Sequence, residues 1–164
     1  MLRDQNLVPL SRQHQHALAL CVRIDRASPI PDSDLATWQQ EMAQLFQSEI
    51  AVHFAAEEQV LFPLARGFAD LSGLVEELIV DHVVLREMFT RAEVGKLSST
   101  DLSVFAQRLS KHIRQEERQL FERLQALLSE EEMALAGKQL DEVLKDATQV
   151  CAVPTDATSL RATK

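Results

Sequence analysis

The sequence is poor in the residues that interrupt helices and in the patterns that build strands. It has four glycines, five prolines and no tyrosine among 164 residues. It contains neither a long Val/Ile/Thr alternation nor an Asn-Gly or Asp-Gly hairpin turn. Ala, Leu, Glu, Gln and Arg, which favour helices, are frequent instead. These features predict an all-α protein.

Other absences exclude classes of function. The net charge of -8 argues against nucleic acid as a partner, because phosphate binding needs clustered Lys and Arg. No apolar run approaches the roughly 20 residues of a membrane span, and the first residues lack the apolar core of a secretory signal. Cys21 and Cys151 are too few and too far apart for a disulfide framework. We therefore expect a cytoplasmic protein with free thiols and no membrane partner.

Apolar periodicity predicts five helices in one domain of residues 1–148, followed by a polar, flexible tail of residues 149–164. Their expected ranges are about Pro9 or Leu10 to Arg26, Asp34 to the Pro63 region, Leu74 to Val94, Asp101 to Leu128, and a shorter helix from Ser129 to about Ala147. Pro63 should kink or end the second helix, and the stretch from Gly67 to Gly73 should break the chain again. Four long helices joined by short loops predict an up-down-up-down four-helix bundle with a short fifth C-terminal helix.

One phrase occurs twice in the chain. The stretch from His53 reads HFAAEEQVLF and the stretch from His112 reads HIRQEERQLF, so both follow H-x-x-x-E-E-x-x-L-F. On a helix, His and the Glu four residues later lie on the same face. Each copy therefore directs an imidazole and a carboxylate, Glu57 or Glu116, toward the interior, where an uncompensated carboxylate is costly. Two such pairs facing each other predict a cradle for metal ions.

Two further histidines, His14 and His82, lie in the apolar stripes of the first and third helices. Counted from the connecting turns at about 1.5 Å per residue, His82 lies at the same depth as Glu57 and as His112 to within roughly 3 Å. Four histidines, one on each long helix, can therefore meet in a single layer. The predicted metal ligands are His14, His53, Glu57, His82, His112 and Glu116.

Such a layer matches the way in which bundle cores build dinuclear iron or manganese sites, with Glu57 and Glu116 bridging two ions. A single inward histidine is more often a hydrogen-bonded core residue, and an interior glutamate can instead pair with arginine. A structural polar cluster is the alternative to a metal site, but burial penalises it. The coincidence of four inward histidines on four helices favours metal.

Other polar residues close to the predicted ligands in the sequence have less certain roles. Glu58 and Glu117, one step off the ligand face, should lie at the surface or orient a ligand histidine. His16 is expected at the surface, with replacement of His14 as the alternative. Glu49 is either an acceptor behind His53 or part of a polar face, and we expect Cys21 in the core.

The order H…HxxxE…H…HxxxE, over about Leu10 to Leu128, resembles the hemerythrin-like, HHE cation-binding domain family. The resemblance implies a four-helix bundle around a non-haem di-iron centre. Its two iron ions would be bridged by two carboxylates and an oxo or hydroxo group, and would be held by the six predicted ligands. Zinc or manganese suits the same ligands.

The chain departs from the oxygen-carrying hemerythrins at two points. They have a His pair, HxxxH, on the third helix, whereas Arg86 stands four residues after His82. They also space the last acid five residues beyond its histidine, whereas Glu116 follows His112 by four. The histidine ligand that is missing at residue 86 argues against reversible oxygen carriage. Its absence would leave a coordination position for water, peroxide or nitric oxide. Arg86 should disfavour a cation unless it points away or pairs with Asp81 or a glutamate.

Three functions remain open on the sequence. The favoured one is a binding protein that senses or buffers oxygen, iron or reactive oxygen and nitrogen species, with dioxygen, peroxide or nitric oxide as small ligands. The second is a di-iron peroxidase or nitric-oxide-handling enzyme. The third is a helical interaction domain with a structural metal and an unidentified protein partner.

Overall fold

Five helices make up most of residues 2–145, which are the residues that the computed structural model describes. The helices are α1 (Val8–Ala27), α2 (32–66), α3 (Ala69–Glu93), α4 (99–127) and α5 (Glu130–Leu144). No strand occurs in this part of the chain, so the all-α prediction is confirmed for it. The predicted tail of residues 149–164 lies outside the described residues, and the assignment of residues 1–148 to one domain stays a prediction.

The helix ends follow local chemistry. Ser98 and Ser129 each accept a hydrogen bond from the backbone N–H three residues on, while Asp101 and Glu132 accept one from the serine N–H in return. These reciprocal capping boxes satisfy amide groups that the first turn of a helix leaves unpaired. The fifth helix therefore starts where the sequence analysis placed it, with Ser129 as its N-cap. Gly95, with φ of +66°, supplies the left-handed residue that turns the chain between α3 and α4.

Two helices contain π turns, in which the backbone N–H bonds five residues back and one extra residue is accommodated. In α2 they span Phe46–Ile50 and Glu57–Leu61, and in α4 one spans Glu116–Leu120. The last two begin at the glutamates of the repeated phrase. The repeat is therefore a repeat of backbone shape as well as of side chains.

The break expected from Gly67 to Gly73 is confirmed only at residues 67–68, and α2 extends past Pro63. Pro63 neither ends α2 nor interrupts its last α-helical segment, because it falls in the first turn of Phe62–Arg66, directly after the π turn. A proline in a first helical turn removes a donor that has little use there. Gly73 lies inside α3, which begins at Ala69, five residues before the expected start. A single exposed glycine weakens a helix by only about 1 kcal/mol and does not end it.

The buried apolar side chains form two clusters, which lie toward opposite ends of the helices. One contains Ile24, Trp38, Phe89 and Phe105, and the other contains Leu61, Phe121 and the buried face of α5. α1 packs along α4, α3 packs along both α2 and α4, and α5 packs against the middle of α2. The alternation of direction among the first four helices stays a prediction.

The buried residues of α1, α3 and α4 recur every three or four positions, so the apolar periodicity that predicts these helices is confirmed there. Phe54 is also buried, at 1% exposed, although the sequence analysis did not place it in the core. Within residues 2–145, no helix is long and apolar enough to cross a membrane.

The segment before α1 packs against α5 through a glycine. A Cβ at Gly137 would lie 2.8 Å from the Cβ of Asn6 and closer still to its amide group. The Asn6 amide also donates to the Asp4 carboxylate over 2.8 Å. The absence of a side chain at Gly137 therefore lets the N-terminal segment lie close to α5.

We expect Gly137→Ala to lower the free energy of unfolding by about 1–2 kcal/mol, because steric overlap with Asn6 outweighs the gain in helix propensity. Urea unfolding of the metal-free protein measures the change. The matched control is Gly73→Ala, at an exposed helical position with no atom within 4 Å of the added Cβ. This substitution should stabilise the protein by about 0.5–1 kcal/mol. Equal effects of the two substitutions would contradict the packing account.

Candidate metal centre

All six predicted ligands lie together in one buried layer between the two apolar clusters. None of their side chains is more than 3% exposed, and both glutamates are 0% exposed. The histidines come from four different helices. The six residues are His14 on α1, His53 and Glu57 on α2, His82 on α3, and His112 and Glu116 on α4. The depth argument from the sequence is confirmed, whereas the role of these residues as ligands stays a prediction.

The layer contains two positions at which four side chains converge. The α1–α2 position is formed by His14, His53, Glu57 and Glu116. The α3–α4 position is formed by His82, His112, Glu57 and Glu116. At each position, one candidate ligand atom from every residue lies within 4.8 Å of the others. The two glutamates belong to both positions.

The two carboxylate oxygens of Glu57 lie at different positions, one at each. Its Oε1 lies 3.3 Å from His53 Nε2, and its Oε2 lies 3.4 Å from His82 Nε2. Two ligand atoms that each lie about 2.1 Å from one metal ion are about 3 Å apart when they meet it at a right angle. The observed separations are therefore close to those of ligands that share an ion.

Glu116 has the same arrangement with the oxygens assigned in the opposite order. Its Oε2 lies 3.1 Å from His14 Nε2, and its Oε1 lies 3.0 Å from His112 Nε2. Each position thus receives one oxygen from each glutamate and Nε2 from two imidazoles. The oxygens of each glutamate are therefore placed so that one carboxylate could contribute to both positions.

The hydrogen bonding of the layer is incomplete on its inner side and, at Nδ1 of His112, on its outer side. Within residues 2–145, every buried side-chain nitrogen or oxygen without a hydrogen-bond partner belongs to one of the six residues. These atoms include Nε2 of all four histidines and both carboxylate oxygens of both glutamates. Unsatisfied buried polar atoms cost free energy, and buried charges cost more. Imidazole nitrogen and carboxylate oxygen are donors that iron, manganese and zinc accept, so the residues present fit a pair of such ions.

Three of the histidines are held from behind by hydrogen bonds at Nδ1. His14 donates to Glu117 Oε1 over 2.7 Å, and His82 donates to Glu58 Oε1 over 2.7 Å. His53 donates to the side-chain oxygen of Gln13 over 2.9 Å. A bond at Nδ1 fixes the ring so that Nε2 points into the layer. Glu58 and Glu117 therefore orient ligand histidines, which is one of the two roles expected for them.

The fourth histidine has a weaker partner. His112 Nδ1 lies 3.6 Å from Asp81 Oδ2, too far for a hydrogen bond, and the other oxygen of Asp81 accepts from Arg108 over 2.6 Å. The sequence analysis missed Gln13 and the contact of Asp81 with His112. A signal was present, because each residue directly precedes a histidine of the layer.

Arg86 does not face the layer. Its guanidinium donates two hydrogen bonds to Glu58, over 2.7 and 3.1 Å, and lies 5.2 Å from the ring centre of Phe54. The expectation that a glutamate pairs with Arg86 is confirmed. This cation holds the carboxylate that orients His82, so it supports the layer from outside.

The π turns bring an aromatic ring of the repeated phrase onto each of two histidines. Phe62 and Phe121 follow the turns directly, and their ring centres lie 5.3 Å from His82 and 5.5 Å from His14. The extra residue in each turn rotates the following turn of helix, so that Leu and Phe of the phrase are both buried. A prediction from the sequence that assumes 3.6 residues per turn does not include this rotation.

In the metal-free protein, the buried charges balance through protons on the imidazoles. Burial opposes the charging of His14 and His82, but the surrounding glutamates outweigh it and raise the pKa of each to about 10. Burial likewise opposes ionisation of Glu116, yet the neighbouring histidines hold its pKa well below the usual value. Since metal binding requires neutral imidazoles, ions would replace these protons.

Three residues near the predicted ligands in sequence lie outside the layer. The side chain of His16 is 62% exposed and bonds Glu49 over 2.8 Å, whereas His14 lies in the layer and His53 donates to Gln13. The alternatives in which His16 replaces His14, or in which Glu49 supports His53, are therefore wrong. Cys21 is buried in the apolar cluster next to α4, as expected.

The metal-free protein should lose stability as the pH rises from about 6.5 to 10. A histidine whose pKa is higher in the folded state contributes stability that is fully present below 6.5 and is lost as the pH passes the folded value. We expect a loss of about 2–5 kcal/mol in the free energy of unfolding, measured by urea titration with a chelator present. His82→Ala should flatten the profile, and His16→Ala should not. A wild-type profile that stays level over this range would contradict the charge assignment.

The comparison with protein families agrees with this geometry. The sequence model of the hemerythrin HHE cation binding domain matches residues 8–124, which include all six residues of the layer. Searches of curated proteins and of solved structures found no match. The matched range covers α1, α2, α3 and most of α4, which is more than half of the chain. The chain therefore belongs to the hemerythrin HHE cation-binding domain family.

Proposed function

We propose that this protein is a non-haem di-iron protein of hemerythrin type that binds a small ligand, and so senses or buffers oxygen, iron or reactive oxygen and nitrogen species. The observation that carries the proposal is the set of unsatisfied donors in the layer. Nε2 of the four histidines and all four oxygens of the two glutamates point inward, and these eight atoms divide into two groups of four. A pair of cations would satisfy the eight atoms at once.

The choice of iron rests on the donor set and the family. Nitrogen and oxygen donors without thiolate suit iron, manganese and zinc, and the family to which the chain belongs binds cations. Two adjacent iron ions would supply one-electron redox chemistry together with coordination positions for a small ligand. The protein side chains would hold the ions, fix the imidazoles through Nδ1 and exclude bulk water.

Coordination by the protein is incomplete at both positions. Each has two imidazoles and one oxygen from each glutamate, which makes four donors, whereas iron commonly accepts up to six ligands. The place of a second histidine on α3 is taken by Arg86, which is directed at Glu58. Open positions at both ions support binding of dioxygen, peroxide or nitric oxide.

The open positions also favour a second candidate, a di-iron peroxidase or nitric-oxide-handling enzyme. Turnover needs access for a substrate and a route for protons. Glu58 and Glu117, which are 33% and 25% exposed, connect His82 and His14 to the surface. These contacts suit proton exchange, but they serve equally well to orient the rings. Ligand binding without turnover therefore remains the first proposal.

The up-down-up-down order of α1 to α4 belongs to the same proposal. Four histidines at similar depth on consecutive helices meet in one layer when each helix reverses the direction of the one before. The loops between these helices are short, with the longest, between α3 and α4, covering residues 94–98.

We expect the protein from iron-replete cells to contain about two iron atoms per chain and to absorb in the near ultraviolet through ligand-to-metal charge transfer. Metal analysis and absorption spectroscopy measure both. His53→Ala and Glu116→Ala should each lower the iron content, because the first removes a donor from one position and the second removes one from both. His16→Ala, at an exposed histidine, is the matched control.

Two results would contradict the di-iron proposal. One is less than one ion per chain in the wild-type protein after reconstitution with ferrous iron. The other is an iron content that is equally high in the wild type and in Glu116→Ala. To separate binding from turnover, peroxide or nitric oxide is added in excess to the iron-loaded protein. A single stoichiometric spectral change supports the binding protein, and sustained consumption supports the enzyme.

A further inference from the structure

The two metal positions are built alike, as two copies of one half-site. In one copy, α1 supplies His14 and α2 supplies the HxxxE phrase, and in the other, α3 supplies His82 and α4 supplies the phrase. The outer partners correspond as well. Glu117 and Glu58 orient the first histidine of each pair, and each glutamate is held by an arginine.

The two copies differ in chemistry at one pair of equivalent residues. Gln13 and Asp81 each precede the first histidine of their copy, and each faces Nδ1 of the second histidine. Gln13 presents a neutral amide oxygen to His53 over 2.9 Å, and Asp81 presents a carboxylate oxygen to His112 at 3.6 Å. One copy therefore has a negative charge behind its second histidine where the other copy has none.

This difference acts on the metal through the imidazole. At 3.6 Å from the ring, Asp81 acts on His112 through its charge and not through a hydrogen bond, and this charge adds attraction for a cation at Nε2. Loss of a partner that hydrogen-bonds a ligand histidine typically weakens metal binding about 10–100-fold, so we expect the lower end of this range, about tenfold, for Asp81. Arg108 offsets part of the charge, but it bonds the other oxygen of Asp81 and is 38% exposed, so solvent screens it more strongly.

We propose that Gln13 and Asp81 make the two positions unequal, so that the α3–α4 position, beside Asp81, binds its ion more tightly than the α1–α2 position. This rests on the proposed metal centre. It assigns to Asp81 and Gln13 a positioning role that acts through the imidazoles and sets the order in which the two positions fill.

Removal of one histidine isolates each position. His112→Ala leaves the α1–α2 position intact, and His53→Ala leaves the α3–α4 position intact, while both keep Glu57 and Glu116. Each variant is titrated with Mn²⁺ alone, and free ion is measured by electron paramagnetic resonance. The dissociation constant of His53→Ala should be about tenfold lower than that of His112→Ala. Circular dichroism of both variants checks that the helices are retained.

Two isosteric changes test the cause. Asp81→Asn added to His53→Ala should raise the dissociation constant about tenfold, and Gln13→Glu added to His112→Ala should lower it by a similar factor. Asp81→Asn added to His112→Ala is the matched control, because the position that remains there is formed by His14 and His53. It should change little.

The outcomes separate this inference from the metal centre itself. Equal or reversed affinities in the two histidine variants, with Mn²⁺ bound by both, would overturn the inequality and leave the proposed centre standing. Equal effects of Asp81→Asn in both backgrounds would show a general structural role and would also overturn it. If the wild-type protein binds neither Mn²⁺ nor Fe²⁺, the proposed centre fails, and the inequality fails with it.

Discussion

Two carboxylates with no access to water determine the rest of this structure. Glu57 and Glu116 lie at the centre of the fold with all four oxygens unsatisfied by hydrogen bonds. A buried, unpaired carboxylate costs several kcal/mol, so the fold must bring positive charge to both. In the metal-free protein His14, His82 and His112 do this by taking up protons, because, although burial opposes it, the glutamates raise the pKa of each. Metal ions would do it with fewer unsatisfied atoms. The apolar clusters on either side keep water out and hold the helices at the spacing that the layer requires.

Around this layer lies a second set of polar residues with a different task. Glu58 and Glu117 face inward to a histidine and outward to an arginine, Arg86 or Arg3, so each carboxylate is shared between the centre and the surface. The hydrogen bond from His82 lowers the pKa of Glu58 to about 2, and that from His14 lowers the pKa of Glu117 to about 2 against the effect of burial, with smaller contributions from the arginines. Both glutamates are therefore charged acceptors at neutral pH. The segment before α1, which carries Arg3, packs on α5 through Asn6 and Gly137. The fifth helix is thus linked to the layer through the segment before α1, in addition to its direct packing against α2.

The sequence predicted the layer because helical spacing is regular over short distances. His and Glu four residues apart share a face wherever the helix is α-helical, as in Ala51–Ala56, and depth counts from the turns remained accurate to about one turn. The π turns were not predicted from the sequence, because they depend on packing around the buried glutamates and not on local helix propensity. Phe54 was missed for a related reason, since it fills the space between His82 and Arg86. The roles of Gln13 and Arg86 depend on contacts between helices, which no single segment reveals.

We expect the buried layer to hold two metal ions between the paired histidines. Anomalous diffraction from crystals of the iron-loaded protein, recorded at the iron edge, would locate these ions. Two peaks about 3.5–4 Å apart are expected, one beside His14 and His53 and the other beside His82 and His112, with Glu57 and Glu116 between them. A layer without anomalous density, or iron bound only at exposed groups such as His16 and Glu49, would contradict this expectation.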